Sequence, residues 1–70
     1  MIQIQIKTDN AAFKGADGTE NSFNRNMETV RILEGLVKKI KENSDTDWQS
    51  VALMDLNGNF VGNFCYDPLK

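Results

Sequence analysis

The 70-residue sequence contains no histidine and only one cysteine, Cys65. A single cysteine excludes a disulfide within the chain, and the lack of histidine excludes a Cys/His zinc site and a His-activated Ser or Cys nucleophile. No apolar run approaches the roughly 20 residues that cross a bilayer. The start of the chain shows no basic segment followed by an apolar stretch, so the sequence predicts no signal peptide, no membrane partner and a cytoplasmic location.

Basic charge is also scarce, since eight Lys and Arg stand against ten Asp and Glu, for a net charge of −2. This balance argues against a nucleic-acid partner, which needs a basic surface. Seventy residues allow a single domain over residues 1–70 with a small core. None of the ten carboxylates forms a recognisable acid/base pair, and no cofactor motif occurs. The sequence therefore predicts a protein that is not an enzyme.

One motif has the spacing of a metal loop. Asp55, Asn57 and Asn59 stand at the positions that open an EF-hand loop. That loop also requires Gly and Glu further on, and Phe60 and Tyr66 occupy those places. The sequence predicts a hairpin turn here and no metal site.

The segment Phe23 to Asn43 has the 3.6-residue periodicity of a helix. Its most apolar stripe, which we expect to face the core, contains Phe23, Met27, Val30, Leu33, Val37 and Ile40. On one flank this stripe is widened by Thr29, Ile32 and Leu36, and the opposite, polar side holds Glu28, Arg31, Gly35, Lys38, Lys39 and Glu42. Asn24 or Asn26 is the expected N-cap. Gly35 falls on the polar side, where it costs about 1 kcal/mol relative to alanine.

Three segments are predicted strands. Ile2, Ile4 and Ile6 alternate with polar residues, and 48–54 and 60–66 flank an Asn57-Gly58 turn. The fold class is α+β: a β-α-β-β chain with a three-stranded, mainly antiparallel sheet and one helix packed on one face. Strand order 2-3-1 is expected, and order 1-2-3 is the alternative.

A two- or four-residue turn puts the same side chains of the hairpin on the covered face, whereas a three-residue turn with a bulge scrambles them and is rejected. The covered face then holds Val51, Leu53, Phe60, Phe64 and Tyr66. The predicted core combines four residues of this covered face with the isoleucines of the first strand and with four residues of the helix stripe. It contains Ile2, Ile4, Ile6, Val30, Leu33, Val37, Ile40, Val51, Leu53, Phe60 and Phe64. In the loop between strand one and the helix, Phe13 is expected to pack against the helix or the sheet edge and so anchor the loop. Residues 14–21 of the loop are expected to be mobile.

Two surface regions are candidate interaction sites. On the open sheet face, a small apolar centre with a polar rim is formed by Ala52, Met54, Val61 and Cys65. Such a patch suits a weak homodimer or a partner protein. Alternatively, the patch is small enough to remain exposed to water without a partner. The second region places Trp48 beside the acidic residues Asp45, Asp47 and Asp67. An exposed Trp there suits protein binding, and the alternative is that Trp48 covers the end of the core.

Three segments occur in a distinctive order: Thr8-Asp9-Asn10-Ala11-Ala12-Phe13, Val30-Arg31-Ile32-Leu33, and Asp55-Leu56-Asn57-Gly58-Asn59 with Val61-Gly62. Over nearly its whole length the chain resembles a group of short, mostly uncharacterised phage and prophage proteins. It departs from them in a longer insert over 14–26 and in its aromatic third strand. The resemblance implies a phage setting in the host cytoplasm, where small acidic proteins often bind and inhibit a host protein, as anti-CRISPR proteins do.

Residues and resemblance together predict a non-enzymatic phage-type protein that acts by protein–protein contact and needs no cofactor. Two alternatives stay open. One is a small-ligand binder or enzyme that uses loop 9–22 as a lid, which a deep pocket beside that loop would favour. The other is an accessory or structural protein without a specific partner.

Overall fold

The computed structural model describes all residues, 1–70, and contains three strands and one long helix. Strand β1 (Ile2–Ile6) leads through a short 3₁₀ turn (Ala11–Phe13) to helix α1 (Ser22–Glu42), which is followed by β2 (Ser50–Met54) and β3 (Phe60–Tyr66). The sheet has the order β1-β3-β2 with both neighbouring pairs antiparallel. The predicted β-α-β-β architecture and the 2-3-1 order are confirmed.

Helix α1 begins one residue earlier than predicted. Its N-cap is Asn21, whose side-chain oxygen accepts the Asn24 N–H at 2.9 Å. The prediction of Asn24 or Asn26 as cap is therefore wrong, because Asn21 reaches a free N–H of the first turn from just outside the helix. At the other end, Lys39 and Lys41 lie in the last turn, where their charge suits the helix dipole.

The buried face of α1 differs from the predicted one. Ile32 and Leu36 enter the core together with Glu28, whereas Val30 and Val37 are exposed and Leu33 is half-buried. Helix α1 is apolar on two sides, and the predicted stripe excluded Glu28, which lies on the side that is buried. The structure buries the other side, because Glu28 finds hydrogen-bond partners that make its burial tolerable.

The β2–β3 hairpin contains the bulge that the sequence argument rejected. The Asp55 N–H donates to the Asn59 carbonyl at 2.9 Å, and Gly58 adopts a φ of +82°, so the turn has three residues. Val51 pairs with Phe64 and Leu53 with Gly62, the register that a two-residue turn at Asn57-Gly58 would give, but Met54 then pairs with Phe60 and leaves Val61 as an extra residue.

The bulge exchanges two side chains between the faces of the sheet. Val61 is only 2% exposed and lies in the core, while Phe60 is 65% exposed on the outer face. The predicted faces of Phe60 and Val61 are therefore both wrong, because the alternation along β3 is broken.

The core is a single cluster between α1, the 3₁₀ turn and the β2–β3 half of the sheet. It contains Phe13, Ile32, Leu36, Val51, Leu53, Val61 and Phe64. Phe13 is fully buried, so its predicted role as an anchor is confirmed, and Ile6 and Ile40 pack on the cluster from its edges. Ile2 and Ile4 were predicted core residues but are exposed, because α1 packs on β2 and does not extend over β1.

The segment 14–21 closes on itself. The Gly15 N–H donates to the Thr19 carbonyl at 3.0 Å. Lys14 and Glu20 form an isolated antiparallel β-bridge across the turn. Gly18, with a φ of +80°, forms the bend. The segment thus has its own hydrogen-bonded turn before α1 begins.

Candidate functional site

The outer sheet face, away from α1, carries most of the apolar residues predicted there. Ala52, Met54 and Cys65 point to this face, and Phe60 takes the place that Val61 was expected to occupy. Val61 cannot contribute to an interaction on this face because it is buried on the other side. Met54 and Phe60 form an exposed cross-strand pair next to the turn.

Trp48 covers one end of the core. It is half-buried against the core cluster, its indole N–H donates to the Asn43 carbonyl at 3.2 Å, and the Lys39 ammonium lies 5.6 Å from its ring centre. These contacts fix the ring between the end of α1 and the start of β2, in the covering arrangement that the sequence argument considered as its alternative.

The acidic residues near Trp48 lie at the same end of the sheet. Asp45 and Asp47 are exposed in the turn before β2. The Tyr66 N–H donates to the Gln49 carbonyl, which brings Asp67 level with Trp48. The Asp67 carboxylate accepts the Leu69 N–H at 2.9 Å and so shapes the last turn of the chain.

Two buried carboxylates, which the sequence argument missed, join α1 to the hairpin. Glu28 is 6% exposed and Asp55 4%. Glu28 accepts the Arg31 Nε–H at 2.6 Å, a second Arg31 N–H at 3.1 Å and the Leu56 N–H at 2.7 Å. The hydrogen bonds from Arg31 lower the pKa of Glu28 and raise that of Arg31.

Asp55 organises the turn from inside. Its carboxylate accepts the backbone N–H groups of Asn57 and Asn59 at 2.9 Å each, and the side-chain amides of Asn10 and Asn59 at 3.2 Å each. Burial raises the pKa of Asp55, but these four hydrogen bonds lower it by more.

All four oxygens of the two carboxylates accept at least one hydrogen bond from the protein. No buried side-chain nitrogen or oxygen lacks a partner. The Asn10–Asp55 contact joins the Thr8–Phe13 segment to the Asp55–Asn59 segment, two of the three segments that carry the phage resemblance. These two segments therefore have a structural role, because their contact ties the first loop to the hairpin. The sequence signal that could have predicted the structural role of Asp55 was the Asx-type turn, in which an Asp side chain accepts from the backbone two residues further on.

The open edge of β1 is the first exposed apolar region that the sequence argument did not foresee. The Lys7 N–H donates to the Val61 carbonyl and the Met1 carbonyl accepts the Asp67 N–H. Because backbone groups alternate along an antiparallel ladder, those of Ile2, Ile4 and Ile6 face away from β3. The side chains of Ile2 and Ile4 are 58% and 44% exposed.

This edge lacks the usual protection. Natural proteins guard an edge strand with charges, proline or a bulge, and residues 2–6 contain none of these. Tyr66, the β3 partner of Ile2, is 39% exposed and extends the apolar surface from β1 onto β3, whereas Phe64, the partner of Ile4, is buried in the core.

The second unforeseen region is the outer side of α1. A shallow groove of about 560 Å³ runs there along Val30, Leu33 and Val37, with Glu34, Lys38, Lys41 and Glu42 at its margins. Towards the start of the helix, Phe23 and Met27 are also exposed.

The molecule as a whole exposes more surface than its size requires. Its accessible surface is 5129 Å², whereas a compact protein of 7.9 kDa exposes about 4,400 Å². Its radius of gyration is 13.4 Å, against about 11 Å expected for this length. The excess of about 700 Å² reflects the elongated shape and the two uncovered regions.

Comparisons with protein-family models, with curated proteins and with solved structures found no match to this chain. No group of three or more His, Cys, Asp or Glu side chains is placed to hold a metal ion, and no helix is both long and apolar enough to cross a membrane.

Proposed function

We propose that this chain is a non-enzymatic protein-binding domain of phage type, which acts on a host protein in the host cytoplasm by adding a strand of that protein to β1. The observation that carries the proposal is the open edge of β1, where the N–H and C=O groups of Ile2, Ile4 and Ile6 lie beside exposed isoleucine side chains.

Strand addition uses two kinds of contact. Main-chain hydrogen bonds supply affinity, and alternate side chains of the added strand supply specificity. On the α1 side of the sheet, Ile2, Ile4 and Tyr66 offer apolar contacts for those side chains. The expected target is an extended, uncharged segment with apolar residues at every second position.

Other features agree with binding in preference to catalysis. The oxygens of Glu28 and Asp55 are all occupied by structural hydrogen bonds. The groove on α1 lies away from loop 9–22. A hollow of about 360 Å³ does lie beside that loop, lined by Ala12, Asn24, Met27, Glu28 and Arg31, but it is wide and open and is not the deep pocket that a lid would close. The net charge of −2 favours a protein partner over a nucleic acid. Inhibition of the host protein, in the manner of anti-CRISPR proteins, rests on the phage resemblance alone.

Two substitutions at Ile4 test the edge. The Ile4 N–H faces away from β3, so Ile4→Pro removes an edge donor and leaves the β1–β3 ladder intact. Ile4→Lys adds a charge to the apolar face. The matched control is Gln5→Lys, which places the same charge on the outer face of the same strand.

The measurement is capture of proteins from a bacterial lysate, followed by titration of each purified partner against the three variants. We expect both Ile4 variants to bind at least about tenfold more weakly and Gln5→Lys to bind like the unsubstituted chain, with circular dichroism confirming that all are folded. Unchanged affinity of both Ile4 variants for every partner would contradict strand addition. If the chain captures no protein, strand addition to a host protein is contradicted, and the alternative of an accessory or structural protein without a specific partner is favoured.

A further inference from the structure

The outer side of α1 carries a regular series of exposed residues: Phe23, Met27, Val30, Glu34, Val37 and Lys41. We name this series the outer stripe. Its spacings are 4, 3, 4, 3 and 4 residues, which is the heptad spacing of helices that pack side by side. Phe23, Met27 and Val37 are 70%, 52% and 52% exposed.

The outer stripe points away from the core of its own molecule. Ile32 and Leu36 hold the opposite side of α1 against the sheet, so nothing within the chain covers the stripe. A helix with one apolar side is fully partnered by its own domain, whereas α1 has two apolar sides and only one is used.

We infer that the chain forms a symmetric homodimer in which α1 packs antiparallel against α1 of a second copy through the outer stripe. This interface is distinct from the β1 edge of the proposed function, and neither depends on the other.

Charge within the stripe selects the antiparallel arrangement. A parallel pair in register would place Glu34 against Glu34 and Lys41 against Lys41, and like charges at facing positions destabilise a helix pair. An antiparallel pair with its two-fold axis level with Ile32 instead brings Met27 level with Val37 of the second copy.

The same register matches the remaining positions of the stripe. Val30 lies level with Glu34 of the second copy, so each Glu34 faces a valine and not the other Glu34. Phe23 lies level with Lys41, where an ammonium over an aromatic ring is favourable. Every position of the stripe thus meets a different position, and no charge faces its own copy.

The exposed surface agrees with a weak dimer. The chain exposes about 700 Å² more than a compact protein of its mass, and the outer stripe holds only part of that excess. Since a stable protein–protein interface takes about 800 Å² from each partner, a dimer through the stripe alone falls below the standard size. A domain of 70 residues with only seven buried apolar residues also gains stability from association.

Cysteine cross-linking tests the register directly. In a Cys65→Ser background, Met27→Cys and Val37→Cys chains are oxidised mildly, each alone and then mixed. We expect a covalent heterodimer from the mixture and little product from either chain alone. In the proposed dimer two copies of residue 27 lie ten residues, or about 15 Å, apart along the helices, and a disulfide needs Cα atoms within about 7 Å.

An exposed cysteine off the stripe, Asn57→Cys, serves as the control for chance collisions. Cross-linking of Met27→Cys with itself would show a parallel pair and overturn the proposal. A mixture that cross-links no faster than Asn57→Cys would overturn it as well.

Sedimentation equilibrium supplies the second readout. Val37→Lys is expected to weaken the dimer at least tenfold, while Leu56→Lys, an exposed apolar residue in the hairpin turn, leaves it unchanged. A chain that stays monomeric at millimolar concentration would overturn the proposal. Ile4→Pro should still dimerise and Val37→Lys should still bind a β1 partner, so failure of one proposal is distinguishable from failure of the other.

Discussion

At the scale of single residues, Gly58 and Val61 set the two faces of the hairpin. The positive φ of Gly58 allows a three-residue turn, which closes on the Asp55–Asn59 pair. The extra residue then required in β3 is Val61, and its side chain turns into the core. Phe60, the larger side chain, is left on the outer face.

Alanine substitutions at these two residues should therefore have unequal effects. Val61→Ala is expected to lower the free energy of unfolding by about 2–3 kcal/mol, since a fully buried valine loses most of its side chain. Phe60→Ala should cost under about 1 kcal/mol despite the larger deletion. Urea unfolding of both variants provides the measurement, and a larger loss for Phe60→Ala would restore the regular alternation and contradict the bulge.

At the scale of elements, packing depends on how closely the backbones approach. Gly62 faces β1, and a Cβ built there would lie 1.8 Å from the Gln5 carbonyl oxygen. Only glycine allows the β1–β3 pairing at this position. Gly35 in α1 is the opposite case, because a Cβ there meets nothing within 4 Å.

These two glycines provide a matched pair of substitutions. Gly62→Ala is expected to destabilise the protein by at least about 2 kcal/mol, because the ladder must shift to relieve the overlap. Gly35→Ala should stabilise it by about 1 kcal/mol through helix propensity. Thermal melts of both variants would show shifts in opposite directions. A neutral Gly62→Ala would mean that β1 does not approach β3 as closely as described.

At the scale of the whole molecule, the buried carboxylates connect segments that are distant along the chain. Glu28 joins α1 to the hairpin through Leu56, and Asp55 joins the hairpin to the first loop through Asn10. The seven-residue apolar core is small, so this polar network is a large part of what holds α1, the loop and the hairpin together.

The network makes stability depend on pH. The pKa values of Glu28 and Asp55 lie below their ordinary values of 4.5 and 3.8. A lowered pKa contributes stability that is fully present above the ordinary value and is lost as pH falls towards the lowered one. The free energy of unfolding should therefore decrease from about pH 5 downwards.

Glu28→Gln should be less stable than the unsubstituted chain at neutral pH and should lose less on acidification, since one of the responsible groups is gone. Glu34→Gln, which removes an exposed carboxylate from the same helix, serves as the control and should keep the original slope. Urea unfolding at a series of pH values measures the slopes, and equal slopes for all three proteins would exclude Glu28 as a source of the pH dependence.

The sequence by itself determined the kinds, order and approximate limits of the elements. Alternation in Ile2–Ile6, the 3.6-residue period of α1 and the Asn57-Gly58 turn are local signals, and each is expressed in the structure. The 2-3-1 strand order and the burial of Phe13 also agreed with expectation. The open-face residues Ala52 and Met54 were placed correctly because β2 alternates without interruption. Cys65 was placed correctly because the extra residue Val61 restores the regular pairing from Gly62 onwards in β3.

Only the tertiary structure decided which side of each element is buried. Val30 and Ile32 are equally apolar, and the choice between their sides of α1 depended on partners for Glu28 that lie in the hairpin. The exchange of Phe60 and Val61 depended on a turn geometry that Asp55 stabilises from within. Ile2 and Ile4 have a core pattern but remain exposed, because burial requires a second surface and α1 covers β2 instead. Periodicity describes a side chain's direction within its own element, whereas burial depends on what the rest of the chain places opposite it.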